Sequence, residues 1–282
     1  MTPTTETVTP RAKPAVKRAQ QVIGGIEREL EKLALDFERK RDVRCVFARA
    51  YAVLTRVLVD GMPRAGFSDP AWIAQLGAVF SDYYLRALRE FDAQTLPAGA
   101  WSSVFEAGRK GQTSVLEDLV LGMTAHIVND LPRALCDVGL VAPNGHSRLG
   151  DYHLLNDVLG KAIERIQKVI SQRYDPVLGV LDQLFESYDE ILTDYGLRIS
   201  RATAWYNALR LLDPASRAAT SAAIAQSPEV TLREILDPPA YSLRLVFRTA
   251  RVLARSTRRW PSLPTDRRSV PCPPTSISTT ST

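Results

Sequence analysis

Two of the three histidines in the chain are each followed, four residues later, by an aspartate. The pairs are His126 with Asp130 and His153 with Asp157. On an α-helix, residues four apart project from the same side, so each pair can present an imidazole and a carboxylate together. Two such pairs suit a divalent zinc, iron or manganese ion with positions left open for water. The same groups suit metal-free chemistry, in which a carboxylate orients a histidine that acts as a general base.

The first pair lies in a very apolar stretch. Within residues 119–131 the only strongly polar side chains are Thr124, His126, Asn129 and Asp130, and a helix that is apolar nearly all round is normally buried. Burying a His–Asp pair is costly, and such arrangements often mark a functional site. A purely structural alternative stays open, in which Asp130 accepts the His126 N–H inside the core and fixes its tautomer without any metal.

Two residues shape the helix that carries this pair. Gly122 lies one turn before His126, and its missing side chain lets a neighbouring helix or a ligand come close. Pro132 cannot donate a hydrogen bond to the carbonyl of Val128 and clashes with it, so the helix should kink or restart there. The sequence therefore predicts a kinked, buried central helix.

A second polar helix follows, and we expect Asp151 to cap its beginning. Asn156 shares one side of this helix with His153. If the two helices pack together, His126 is the general base or ligand, Asp130 orients it, and Asp151 and Asn156 position a substrate. The candidate metal ligands are His126, Asp130, His153 and Asp157.

Two strings in these helices carry a family resemblance. Residues 122–132, Gly-Met-Thr-Ala-His-Ile-Val-Asn-Asp-Leu-Pro, are followed by Asp-Tyr-His-Leu-Leu-Asn at 151–156. The pattern resembles an uncharacterised bacterial domain-of-unknown-function family (DUF5995-like), with an AHI-x-x-DL helix followed by a D-x-x-x-x-N helix. The resemblance covers roughly residues 40–215 and implies a helical fold. It brings no established activity, and the positions it points to are His126, Asp130, Asp151 and Asn156.

The rest of the chain predicts further helices to position these residues. Apolar residues recur at helical spacing, and Asp-Pro pairs at 69–70, 175–176 and 213–214 mark helix starts. Alternating β-branched runs bounded by turn residues do not occur. We predict an all-α fold, a single multi-helix bundle of about nine or ten helices. Residues 13–259 should form the domain, residues 1–12 a disordered N-terminus, and residues 260–282 a disordered Pro/Ser/Thr-rich tail.

Composition narrows the class of protein. The 282 residues are 45% hydrophobic and 24% charged, which is typical of a soluble globular chain. No run of about 18 apolar residues and no signal peptide occurs, so we expect a cytoplasmic protein. The net charge of the chain is +5. Residues 241–282 contain eight arginines and one aspartate and so carry +7, which leaves a net charge of −2 on residues 1–240. The slightly acidic body argues against nucleic-acid binding as the main function.

The basic end suggests a second kind of function. Arginines recur at three or four residues through 244–259, and such a helix can make peripheral contact with an anionic membrane or with phosphates. A helix docked on the body with a solvated arginine face is the plainer alternative. The leading hypothesis is a helical pocket protein, an enzyme acting on a small, largely apolar molecule by His/Asp acid–base or metal-assisted chemistry. The alternative is a non-catalytic protein that docks a partner or a membrane through its basic end.

Overall fold

The part of the chain that the structure describes is helical and has no strands. A computed structural model describes residues 12–97, 99–175, 194–236, 252, 256 and 258–261. The described elements are α-helices, one π-helical turn (Ala125–Asp130) and two 3-10 turns (Met62–Arg64 and Gly160–Ala162). The all-α prediction is confirmed. The α-helices are α1 (Ala12–Arg39), α2 (Cys45–Gly61), α3 (Pro70–Asp92), α4 (Ala100–Arg109), α5 (Val115–Thr124), α6 (Leu131–Val138), α7 (Leu149–Leu159), α8 (Ile163–Tyr174), α9 (Asp194–Leu212) and α10 (Arg217–Leu236).

Several of these helices join end to end. Helices α5 and α6 make one rod through the π-helical turn, and α7 and α8 make another through a 3-10 turn. Counted as continuous rods, the described ranges contain eight helices, slightly fewer than the predicted nine or ten. The helix predicted to start at Asp175-Pro176 lies outside the described residues beyond Asp175, as do most of the predicted basic helix at 244–259 and most of the predicted disordered ends. None of the described helices has the length and apolar character needed to cross a membrane.

The predicted helix starts are confirmed for α3 and corrected for α7. Asp69 caps α3, since its carboxylate accepts a hydrogen bond from the backbone N–H of Trp72 at 3.0 Å. Helix α7 begins at Leu149, so Asp151 lies within its first turn and is not its cap. The Asp151 carboxylate instead accepts the backbone N–H groups of Ser68 and Asp69, at 2.8 and 2.7 Å. It therefore fastens α7 to the segment that leads into α3.

Helix α10 is longer than its sequence predicted. From Asp213-Pro214 the sequence predicts a short alanine-rich helix that ends at Ala225, but the helix continues through Pro228 to Leu236. Proline in a helix interior removes a hydrogen bond and strains the preceding turn. Here Pro228 is buried and α10 packs along α4, α5 and the π-helical turn, so tertiary packing outweighs the local signal.

The central rod is buried, as predicted. Helices α2, α3, α4, α9 and α10 all contact the rod that runs from α5 to α6. Every residue of α5 except Leu116 is buried. Gly122 allows α2 to approach, because a Cβ on this residue would lie 2.5 Å from Cδ2 of Phe47. The space left by the missing side chain is thus occupied by the Phe47 ring of α2.

A buried carboxylate joins α1, α2 and α8. The side chain of Glu38 is fully buried and accepts hydrogen bonds from Arg49 at 3.0 Å, from Arg173 at 2.6 and 2.7 Å, and from the hydroxyl of Tyr174 at 2.5 Å. Burial alone would raise the pKa of Glu38, but the hydrogen bonds from Arg173 and Tyr174 and the charge of Arg49 hold it below its ordinary value. Arg49, itself buried, also pairs with Glu31.

Candidate functional site

The predicted His126–Asp130 pair forms on the π-helical turn. Nδ1 of His126 lies 3.0 Å from Oδ2 of Asp130, and the two residues are only 3% and 1% exposed. The backbone N–H of Leu131 reaches back five residues to the carbonyl of His126, and a regular helix restarts at Leu131. The restart expected near Pro132 therefore takes the form of a π-helical turn, an irregularity that is frequent at functional sites.

The partners of Asp130 decide the tautomer of His126. Trp101 Nε1 donates to Oδ2 of Asp130 at 2.8 Å, and the side-chain amide of Asn129 donates to Oδ1 at 2.7 Å. A carboxylate that already accepts two hydrogen bonds can accept a third, so Nδ1 of His126 carries the proton and donates it. Burial lowers the pKa of His126, although the hydrogen bond and charge of Asp130 act in the opposite direction. The imidazole is therefore neutral at neutral pH, with Nε2 as an acceptor.

Aromatic side chains surround this imidazole. Phe80 stacks on it with ring centroids 3.6 Å apart and planes 8° apart, and Tyr51 meets it edge-on at 4.7 Å. Nε2 of His126 is buried and has no hydrogen-bond partner among the described residues, and the same holds for the hydroxyl of Tyr84. A buried polar atom without a partner is rare and costs about 1–3 kcal/mol. We call the surrounding rings the aromatic cage: Phe47, Tyr51, Phe80, Tyr84 and Trp101.

Two adjoining cavities, each of about 60 Å³, lie beside the cage. His126 lines the first, whose other lining residues are apolar except for Tyr51 and Arg201. The second cavity shares part of this lining. The cavities have in common Tyr51, Leu54, Phe80, Leu131, Leu159 and Arg201.

Of the other predicted catalytic residues, Asn156 contacts the cavity-lining Arg201, whereas Asp151 contacts neither the cage nor a cavity wall. Arg201 Nε donates to Oδ1 of Asn156 at 2.6 Å, which brings the amide next to the cavity wall. Asp151 is engaged by the two backbone N–H groups before α3 and is not part of the aromatic cage or of either cavity lining.

The predicted metal ligands are not brought together. His153 and Asp157 are both exposed, and Asp157 accepts a surface hydrogen bond from Arg198 at 3.0 Å. The spacing that places them on one side of α7 places them on the side opposite the apolar residues that this helix buries. His126 and Asp130 face the buried cage instead. Across the described ranges, no three His, Cys, Asp or Glu side chains form a group suited to a metal ion.

Arg201 is the main site residue that the sequence reasoning missed. A lone arginine on a helix ordinarily reads as a surface residue. A signal was nevertheless present, because Leu197, Ala204 and Ala208 lie four before, three after and seven after Arg201. All three are at most 2% exposed. Their spacing places Arg201 on the apolar face of α9, where a charge is unexpected.

The predicted basic helix at 244–259 lies mostly outside the described residues. Arg258 is described, and it donates to Oδ2 of Asp118 at 2.6 Å while Trp260 packs against the core. Burial raises the pKa of Asp118 to about 6, although the charge of Arg258 and a hydrogen bond from Thr113 act to lower it. Arg258 is thus part of a docked end of the chain and not of a free basic face.

Comparison with known proteins adds a family but no activity. The model of DUF5995, a family of unknown function, matches residues 23–238. The matched range exceeds half of the chain and contains the aromatic cage, both cavities and Arg201. No curated protein and no solved structure shows a significant match.

Proposed function

The chain belongs to the DUF5995 family of unknown function, and we propose from its site that it binds a small, largely apolar molecule beside His126 and acts on it by acid–base chemistry. The observation that supports this most directly is Nε2 of His126, an acceptor buried without a partner on a ring that lines an apolar cavity. Apolar cavities with a few convergent polar groups are the usual form of small-molecule sites.

The chain's own residues give His126 the properties of a general base. Asp130 holds the proton on Nδ1, so Nε2 is the nitrogen free to take a proton from a bound molecule. The imidazolium formed by that transfer would lie against the Asp130 carboxylate, which Trp101 and Asn129 fix in place. Such an orienting carboxylate stabilises a protonated histidine and maintains its tautomer.

The proposal is tested by exchanging the imidazole for a ring without Nε2. Phenol can donate its hydroxyl to Nε2, whereas toluene has the same shape and no donor. His126→Phe keeps an aromatic ring to stack on Phe80, so we expect phenol to bind about tenfold more weakly to the variant, which corresponds to one hydrogen bond. Toluene affinity should stay within about twofold. Calorimetric titration of the full chain measures both.

The exposed His153 provides a matched control. His153→Phe makes the same exchange outside the cavities and should leave both affinities unchanged. Because burial lowers the pKa of His126 below its ordinary value and so favours the neutral form, phenol affinity should also be constant from about pH 7.5 to 8.5. The proposal would be overturned if phenol bound no more tightly than toluene, or if His126→Phe left the phenol affinity unchanged. Nε2 of His126 would then be only a feature of the core packing.

The alternative of partner or membrane docking is testable separately. The basic face would consist of the arginines of 244–259, without Arg258, which pairs with Asp118. Arg244→Glu combined with Arg251→Glu should abolish sedimentation with anionic phosphatidylserine vesicles if this end binds membranes. Deleting residues 241–282 is a poorer test, since it also removes Arg258 and Trp260 from the core. If the double variant sediments with the vesicles as well as wild type does, membrane binding through this face is excluded.

A further inference from the structure

Two buried arginines in the described ranges differ in their charge partners. Arg49 and Arg201 are each 5% exposed. Arg49 has two carboxylates, Glu31 and Glu38, within salt-bridge distance. Arg201 has no carboxylate within 4 Å among the described residues, and its partners are neutral groups. Buried cations are normally paired, because the desolvation of an unpaired charge costs several kcal/mol.

The neutral partners of Arg201 hold the guanidinium in one place. Nε donates to Asn156 Oδ1 at 2.6 Å, and the guanidinium carbon lies 4.3 Å from the ring centroid of Tyr152. The Tyr152 hydroxyl donates to the carbonyl of Arg201 at 2.7 Å, which also fixes the backbone. The terminal nitrogens are less engaged, since among the described residues Nη2 has only a long 3.5 Å contact with the Tyr152 carbonyl. The Arg201 side chain is thus held in position, while its terminal N–H groups stay available for a ligand.

We propose that Arg201 is the receptor for a carboxylate group on the ligand, and that the site therefore takes small apolar carboxylic acids. This inference rests on the proposed function, because the carboxylate would enter the cavity that His126 also lines. The two Nη groups of arginine match the two oxygens of a carboxylate. A phosphate would need further donors, and apart from His126 and the Tyr51 and Thr55 hydroxyls the described cavity walls carry no other polar side chain.

The size of the cavities limits the acid. Each holds about 60 Å³, and an apolar cavity of about 150 Å³ accommodates one benzene molecule. The adjoining pair offers about 120 Å³ together, slightly less than that benzene cavity. It therefore suits a short branched acid, takes a single ring only as its upper limit, and excludes a long-chain fatty acid. Isobutyrate and benzoate are suitable probes, and isobutyramide and benzamide are their neutral counterparts of nearly equal shape.

The test compares each acid with its amide on the full chain. By calorimetric titration at pH 7, we expect wild type to bind each carboxylate at least tenfold more tightly than its amide, because a hydrogen-bonded charge pair replaces an unpaired buried cation. In Arg201→Met, carboxylate affinity should fall about 10- to 100-fold and amide affinity should change less than twofold. Arg201→Lys keeps the charge but loses the paired N–H groups, so its carboxylate affinity should lie between those of wild type and Arg201→Met.

Arg198→Met is the matched control, because it removes the same charge from a half-exposed position on the same helix that lines neither cavity. Equal losses in both variants would indicate long-range attraction and overturn the role of Arg201. If Arg201→Met does not fold, as judged by circular dichroism, the acid–amide preference of wild type and the loss in Arg201→Lys still decide. Binding of phenol without any acid–amide preference overturns the carboxylate assignment alone. Absence of binding by phenol, amides and acids alike overturns the proposed function as well.

Discussion

Gly122→Ala should destabilise the protein even though alanine is the better helix former. In an unconstrained helix the exchange stabilises by about 1 kcal/mol. At Gly122 the new Cβ would lie 2.5 Å from Cδ2 and 2.7 Å from Cγ of Phe47, closer than any real packing contact. Phe47 is buried against Tyr84 and Trp101, with ring centroids 5.0 and 5.5 Å away, so it cannot move freely. Overpacking of this kind costs about 1–3 kcal/mol, which equals or exceeds the helix gain.

Gly25→Ala is the matched control for this prediction. Gly25 is also inside a helix, α1, but a Cβ there would meet nothing within 4 Å. It should therefore gain about 0.5–1 kcal/mol. The difference between the two variants is expected to be about 1–3 kcal/mol, or about 2–6 °C in Tm for a chain of this size, measured by urea unfolding and calorimetry. If both alanine variants were equally stable, the inferred tight contact between α2 and the central rod would be refuted.

Two further predictions concern buried ion pairs. Glu38→Gln leaves Arg49 and Arg173 without their shared charge and should cost about 3–5 kcal/mol at pH 7 by urea unfolding. Because the folded pKa of Glu38 is lowered, its contribution is present above the unfolded pKa and lost as the pH falls through the folded value, so the deficit should shrink below about pH 4. Arg258→Ala leaves Asp118 buried without its cation, and since the pKa of Asp118 is already raised to about 6, the variant should lose more stability at pH 8 than at pH 5. A pH-independent deficit in either variant contradicts the assigned pair.

The helical architecture was predictable because its signals are local. Apolar periodicity and the Asp69-Pro70 start need only neighbouring residues, and both are confirmed in α3. Where a distant contact decides, the local signal failed. Asp151 looks like a helix cap in the sequence, yet its partners are backbone groups more than 80 residues earlier in the chain. Pro228 resembles a helix end in the sequence, yet packing of α10 against four other elements carries the helix past it.

The candidate site likewise has a part that local spacing predicts and a part that only the tertiary fold decides. Spacing alone identified His126 and Asp130, because two residues on one turn must lie together whatever the rest of the fold does. The same spacing paired His153 with Asp157 equally well, and only the orientation of α7 shows that this pair faces outward. A histidine–aspartate spacing thus reports that two groups are adjacent, and burial decides whether they can form an enclosed site.

What the sequence could not supply is the convergence of separate helices on one imidazole. Helices α2, α3 and α4 contribute the aromatic cage, and α9 contributes Arg201. No pairwise spacing encodes that meeting, since Arg201 lies 75 residues after His126. Within the described ranges, Nε2 of His126 has no donor and Arg201 has no anion, and both residues line one cavity, so their needs are complementary. Under our proposal, a carboxylic acid with one further donor would satisfy both groups at once, and this is why we prefer a ligand site to two separate structural features.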